Sequence, residues 1–321
     1  MKTLSCILFL SALFLSCQPK QDKKNVDYAL VIHGGAGNIT KERVNDSLEK
    51  IYQQKLNEAL IIGDSILKTG GTAVDAVIGT VEFLENCPLF NAGKGAVFTN
   101  EGTNELDASI MDGRDLNAGA VAGVKTIKNP IKAAKEVMIN SPHVMLSGKG
   151  AEEFANIHKL EIVEPEYFYT EKSWKSLQKQ LSNEKHGTVG CVALDKKGNL
   201  AAGTSTGGMT NKRWGRIGDS PVIGAGTYAN NKTCAVSATG HGEFFIRYTV
   251  AHDISALMEY KTLSLEKASK EVIQNKLIKA KGNGGIIAVD KKGNISMEFN
   301  TNGMFRGYIK SNGERDVKIF K

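Results

Sequence analysis

Apolar and polar residues along this chain alternate in blocks whose periods predict strands and helices in turn. Tyr28 to Ile32 is a short, continuous apolar run that stops at His33-Gly34-Gly35-Ala36-Gly37, the pattern of a buried strand running into a glycine loop. Asp46 to Thr69 spaces its apolar residues as a helix face does, with Asp46 and Glu49 placed as a capping box and Gly70-Gly71 as a stop. Thr72 to Leu84 is apolar nearly all round and predicts a buried helix. Glu105 to Gly113 and Ala118 to Val124 read as a hairpin with Asp112-Gly113 as its turn residues. Asn129 to Asn140 reads as a helix capped by Asn129, with Pro130 at its first position. Lys149 to His158 and Tyr167 to Leu181 add two more helices, and the charged Ser182 to Lys185 then forms a mobile leader.

After that leader, His186-Gly187-Thr188 opens an apolar strand through Leu194, and a second strand runs from Leu200 to Thr206. The link Asp195-Lys196-Lys197-Gly198-Asn199 fits a three-residue loop with Gly198 in the left-handed position, which pairs Asp195 with Asn199. Counting back along that register sets Thr188 opposite Thr206, with both side chains on one face. The same five letters recur as Asp290 to Asn294, between Asn283 to Asp290 and Asn294 to Phe299, and predict a last hairpin of the same geometry. Cys234 to Gly240 is a strand that ends at His241-Gly242-Glu243, where a long apolar helix to Tyr260 begins.

Composition changes this picture at one end. Met1 to Ser16 carries one lysine and then an apolar run from Leu4 to Leu15, too short to span a bilayer and typical of a signal peptide. It ends in Phe14-Leu15-Ser16-Cys17, which resembles a bacterial lipobox with Cys17 as the lipidated residue. Residues 17–26 then form a flexible tether, and 27–321 one domain, since no composition break divides them. The expected location is the bacterial cell envelope, as a membrane-anchored lipoprotein facing the periplasm or the cell surface. The formal charge of +7 is spread over scattered lysines, without the basic-aromatic clustering of a nucleic-acid surface. Cys87, Cys191 and Cys234 are too few for a disulfide framework, and no Cys/His spacing resembles a zinc site.

The chemistry gathers at Thr188. A threonine hydroxyl needs an adjacent base, and cleavage before Thr188 would supply one as a new α-amine, with an ordinary pKa of about 7.7–8.0. Gly187 allows the strained backbone such a cut requires. Arg216 and Asp219, in the loop Asn211 to Pro221, read either as a surface ion pair or as a clamp for a carboxylate and an ammonium. Thr239 and Gly240 read either as an ordinary strand-to-helix turn or as donors to an oxyanion. Asn91, in the glycine loop Leu89 to Ala96, reads either as a substrate contact or as a turn-former.

These motifs, in this order from Tyr28 to the C-terminus, resemble the plant-type asparaginase and isoaspartyl peptidase family of N-terminal nucleophile hydrolases. The resemblance rests on the His33 loop, the Asn91 loop, His186 to Gly190, Gly203 to Gly208, Gly215 to Pro221 and Thr239 to Glu243. It implies an α+β fold, a four-layer αββα sandwich, cut by its own chemistry into 17–187 and 188–321. It also implies Thr188 as nucleophile, Thr206 as its hydroxyl partner, Thr239 and Gly240 as the oxyanion hole, and Arg216 with Asp219 as the grip on the substrate. Gly240, Gly242 and Asn91 join the substrate contacts. No cofactor is implied for catalysis; a structural sodium ion is implied in the loop Leu89 to Ala96. The implied partners are a small amino acid or dipeptide substrate and a second copy, in a dimer of heterodimers. The implied activity is hydrolysis of the side-chain amide of asparagine and of β-aspartyl dipeptides. Two alternatives stand beside it: a glycosylasparaginase, against which Gly187 counts because that family has Asp there, and a lipid-anchored binding protein on an inactive scaffold.

Overall fold

The computed structural model describes residues 26–179 and 187–321. The expected signal peptide, Cys17 and the tether up to residue 25 lie outside the described residues, as do His186 and the expected leader over 182–185. Val26, counted as tether on sequence, is partly buried on the core and touches Gly293.

The described strands are, in chain order, β1 Ala29–Gly37, β2 Leu106–Asp112, β3 Ala118–Val124, β4 Met145–Ser147, β5 Val189–Leu194, β6 Leu200–Thr206, β7 Thr227–Ala229, β8 Cys234–Gly240, β9 Gly284–Asp290, β10 Ile295–Ser296, β11 Gly303–Lys310 and β12 Arg315–Phe320. Eight of them form a sheet in the order β12-β11-β1-β5-β6-β2-β3-β4, and β10-β9-β8-β7 form a second. The helices are α1 Asp46–Lys68, α2 Ala73–Glu85, α3 Pro130–Asn140, α4 Gly148–Ile157, α5 Glu171–Lys179, α6 Gly242–Arg247, α7 Val250–Lys261 and α8 Leu265–Lys270, the last continuing through a π-helical turn, Glu271–Lys276.

Side chains alternate across a strand, so each strand of the large sheet feeds two cores. In β1, Leu30 and Ile32 pack against Leu56 and Leu60 of α1 and Val77 of α2, while Ala29 and Val31 face Ile287 and Val289 of β9 across the sheets. In β8, Ala235 lies in that inter-sheet core and Val236 turns to a third, against Ile254 and Ile273. Helices, sheet, sheet, helices: these are the four layers of the αββα sandwich. Cys87 and Cys191 sit in the first core and Cys234 in the third, all as free thiols.

The β5–β6 register is the one counted from sequence, with Val189 opposite Ser205 and Leu194 opposite Leu200. Asp195 Oδ1 accepts the amides of Lys197 and Asn199, and Asp290 Oδ1 those of Lys292 and Asn294, so the repeated loop is one geometry used twice. Gly198 and Gly293 take the left-handed positions, at φ +78° and +72°.

Several boundaries differ from the sequence reading. Asn45, not Asp46, caps α1, accepting the Leu48 amide, and Glu49 pairs with Lys41 instead of closing a capping box. The β2–β3 connection needs residues 113–117, with the Asp112 amide bonded to the Asn117 carbonyl, not a turn of Asp112-Gly113 alone. Asn129 makes no side-chain cap on α3; it donates to Glu85 and Asn86, and the Glu85 carboxylate takes the Ile131 amide at the helix start instead. The helix expected over Tyr167 to Leu181 divides into a 3-10 turn, Pro165–Phe168, and α5. The helix expected from His241 to Tyr260 breaks at Tyr248-Thr249, where Thr249 adopts φ +45°.

Candidate active site

The strand parity that builds the inter-sheet core also builds the site. Val192, Ala202, Met111 and Ala235 face inward in the apolar part of that core. Two residues nearer one end, the same positions are Gly190, Thr204, Ser109 and Ser237, and two further on they are Thr188, Thr206, Asp107 and Thr239. Apart from Gly190, polar residues thus replace apolar ones in steps of two along β2, β5, β6 and the facing β8.

At the outermost step, Thr188 and Thr206 meet. The Thr188 hydroxyl donates to Thr206 Oγ1 at 3.2 Å, and Thr206 Oγ1 donates to the Gly187 carbonyl at 2.9 Å while accepting the Gly208 amide at 2.9 Å. The same Gly187 carbonyl accepts Asn91 Nδ2 at 2.7 Å. Asn91 is held in turn: Nδ2 also donates to the Gly208 carbonyl, and Oδ1 accepts the Val97 amide. Two donors therefore converge on the Gly187 carbonyl oxygen, the arrangement that favours negative charge developing on that oxygen. Asn91 thus ties the Gly187 and Gly208 carbonyls and the Val97 amide together.

Arg216, Asp219 and Gly240 border the same cleft as Thr188 and Thr206. Arg216 does not pair with Asp219. It forks onto Glu243, with Nε to Oε1 at 2.9 Å and Nη2 to Oε2 at 3.0 Å, a partner that sequence reading missed although it adjoins Gly242. Asp219 is buried with Oδ2 lacking any hydrogen-bond partner, and burial pushes its carboxyl up to about 7. A buried acceptor without a partner is costly, so this oxygen is set to take a donor from a ligand. Gly242 lies where the two meet: a Cβ there would stand 2.8 Å from Arg216 Nη2 and 2.9 Å from Asp219 Oδ1. Thr239 is fully buried at the end of β8, with Oγ1 accepting the Ala36 amide at 3.3 Å, and Gly240 next to it opens onto the cleft.

Two further buried groups went unread in the sequence. Asp107 faces the same side as Thr206, spends Oδ1 on the Gly123 amide and leaves Oδ2 without a partner. His33 contacts the Thr188 carbonyl through Nδ1 at 3.1 Å and Ser237 through Nε2 at 3.0 Å. In the sequence it stood as the polar residue closing an apolar strand and opening a glycine loop, with no role of its own. A larger depression, about 130 Å³, is bordered by Thr99 to Glu101, Glu105 and Lys212 to Gly215 and by neither Thr188 nor Thr206.

Comparison with known proteins bears on the same stretch of chain. The family described as Asparaginase matches residues 26–319. The chain is 50% identical to the isoaspartyl peptidase of Escherichia coli (strain K12), over 87% of this chain and 92% of that one. It is 45% identical to the isoaspartyl peptidase/L-asparaginase of Homo sapiens, over 82% and 87%, and 44% identical to that of Mus musculus, over 86% of each.

Proposed function

This chain belongs to the asparaginase family, and from that premise we infer a hydrolase that splits the side-chain amide of L-asparagine and of isoaspartyl peptides to release L-aspartate. The observation that carries the reading is the Thr188–Thr206 hydroxyl pair facing a cleft whose other wall holds Arg216 and the unpartnered Asp219. A guanidinium and a carboxylate side by side suit the carboxylate and ammonium of a free amino acid, which leaves the side-chain amide as the bond in reach. Gly187 and the names of the relatives both weigh against the glycosylasparaginase alternative, and the intact hydroxyl pair weighs against an inactive scaffold.

The chain first cuts itself at Gly187–Thr188. Thr188 Oγ attacks the Gly187 carbonyl carbon while Asn91 and Thr206 hold its oxygen, and acyl transfer to oxygen followed by water frees the Thr188 amine. That amine then serves as base for the same hydroxyl when it attacks the substrate amide. Thr239 and Gly240 hold the new oxyanion; since Thr239 Oγ1 already accepts from Ala36, its own proton is the one left to donate. Ammonia or the amino component leaves, and water releases aspartate from the threonine ester.

We propose a structural sodium ion at the loop Leu89 to Ala96. Glycine at 93 and at 95 lets the carbonyl oxygens of Glu85, Pro88 and Phe90 pack closely there, and neutral oxygens are the donor type a hard cation takes. The Leu89 carbonyl is taken by Lys172 Nζ at 2.9 Å. The ion would brace the loop that presents Asn91. The lipid anchor at Cys17 and the pairing of two cut chains into a dimer of heterodimers complete the proposal; fatty-acid labelling lost in Cys17→Ala tests the anchor.

Assays on asparagine, β-aspartyl-leucine and a glycosylated asparagine test the substrate assignment. The dipeptide should rank first and the glycosylated substrate last; a clear preference for the glycosylated substrate would transfer the protein to the alternative.

pH separates the two carboxylate states of Asp219. In the free enzyme the carboxyl, raised to about 7 by burial, is protonated below that pH and accepts an ammonium poorly. A bound ammonium stabilises the carboxylate, so KM should rise by up to about tenfold per unit as pH falls below about 7, beyond any change in kcat. An acid limb of equal depth in kcat and kcat/KM would assign the titration to Thr188 alone.

A further inference from the structure

Thr188 stands just beyond the regular sheet. The last registered pairs of its strand are His33 with Gly190 on one side and Val189 with Ser205 on the other. Its carbonyl turns to an imidazole, His33 Nδ1 at 3.1 Å. A carbonyl only accepts, so Nδ1 must carry the proton and Nε2 must be bare. Ser237 Oγ, 3.0 Å from Nε2, must then be the donor to it. Its oxygen is left to accept from Thr204 at 2.7 Å, and Thr204 accepts from Thr227 at 2.5 Å. His33, Thr204, Thr227 and Ser237 are all fully buried. The row passes over β5 only because residue 190 is glycine: a Cβ there would stand 2.0 Å from Ser237 Oγ and 2.3 Å from His33 Nε2. Burial lowers the His33 imidazole to about 3, which keeps it neutral and its donor direction fixed in the working pH range.

On the reading that Thr188 is the nucleophile, we propose that His33, oriented by Ser237, is a positioning residue for the reaction. Cutting the Gly187–Thr188 bond releases Thr188 from one side. The imidazole then holds its carbonyl, hence the torsion about Cα–C that fixes where the amine and the hydroxyl-bearing Cβ stand relative to the cleft and the substrate. The row of hydroxyls from Thr227 to Ser237 keeps the imidazole in the tautomer that does this. Neither His33 nor Ser237 touches substrate; both act through Thr188.

The test compares His33→Asn, His33→Gln and Ser237→Ala per mole of cut enzyme, with β-aspartyl-leucine as substrate. Asn places an amide nitrogen where Nδ1 stands, and Gln places one where Nε2 stands, so only Asn keeps the donor to Thr188. A misplacement on the order of 1 Å costs about 10²-fold in rate. His33→Gln should therefore lose about that much kcat, His33→Asn at least about fivefold less, and Ser237→Ala about tenfold, all with KM within about twofold because the Arg216 and Asp219 grip is untouched. Equal losses in Asn and Gln, a wild-type kcat in Ser237→Ala, or losses confined to KM would overturn the proposal. Thr188→Ala runs alongside: turnover by that variant removes the nucleophile reading itself, whereas an inactive Thr188→Ala beside a wild-type-like Ser237→Ala removes only the role given to His33. Ser237→Ala decides the matter if His33→Gln does not fold, since it leaves the imidazole in place.

Discussion

Thr188→Ala should stay a single chain in intact-mass measurement and should lose turnover by at least about 10⁴-fold, the scale on which removing a nucleophile acts. Two losses combine. No hydroxyl remains to attack Gly187, so the amine that serves as base is never released, and the uncut Gly187 keeps its place in the cleft beside Thr206 and Arg216. Asn91→Ala should separate these effects. It removes one of two donors to the Gly187 carbonyl while Thr206 Oγ1 remains at 2.9 Å, so cutting should slow by about 10²-fold without stopping. Thr188→Ala protein that is cut at the same bond would falsify the nucleophile assignment.

Arg216→Ala should lower kcat/KM for β-aspartyl-leucine by about 2–4 kcal/mol, roughly 30- to 1000-fold, because a charge-assisted fork to the substrate carboxylate is lost. Most of the loss should appear in KM. The protein should remain folded, since the partner left behind, Glu243, is 44% exposed and returns to water. Self-cleavage should be spared, for the Gly187 carbonyl is held by Asn91 and Thr206 and not by the guanidinium. Arg216→Lys should recover little, because a lysine offers a point charge where the site offers a plane. An Arg216→Ala enzyme with unchanged kcat/KM on free amino acid substrates would end the clamp reading.

Glu243 shows where sequence reading stopped. Arg216 and Asp219 were legible as an unusual pair of charges in a glycine-rich loop, but nothing in the spacing says that the guanidinium turns 27 residues onward to Glu243. Asn91 was read as a loop residue with a substrate contact as one option. Its place on the Gly187 carbonyl depends on β6 delivering Gly207 and Gly208 to the same loop, a contact between segments more than a hundred residues apart. The capping errors at Asp46 and Asn129 are of the same kind on a smaller scale: both side chains are competent caps, and a neighbour took the role.

What the sequence by itself determined is local. The Asp-Lys-Lys-Gly-Asn loop closes on its own aspartate, so it fixes the register of β5 and β6 without help from the rest of the chain, and strand parity then carries Thr188 to Thr206. The pairing of the two hydroxyls follows from counting. What only the tertiary structure decided is which groups surround them. His33 reaches the Thr188 carbonyl across 155 residues and Ser237 across 204, because β1 lies beside β5 in one sheet while β8 faces them from the other. Strand order and sheet stacking are set by how the three cores close together, and no periodicity within one segment encodes that.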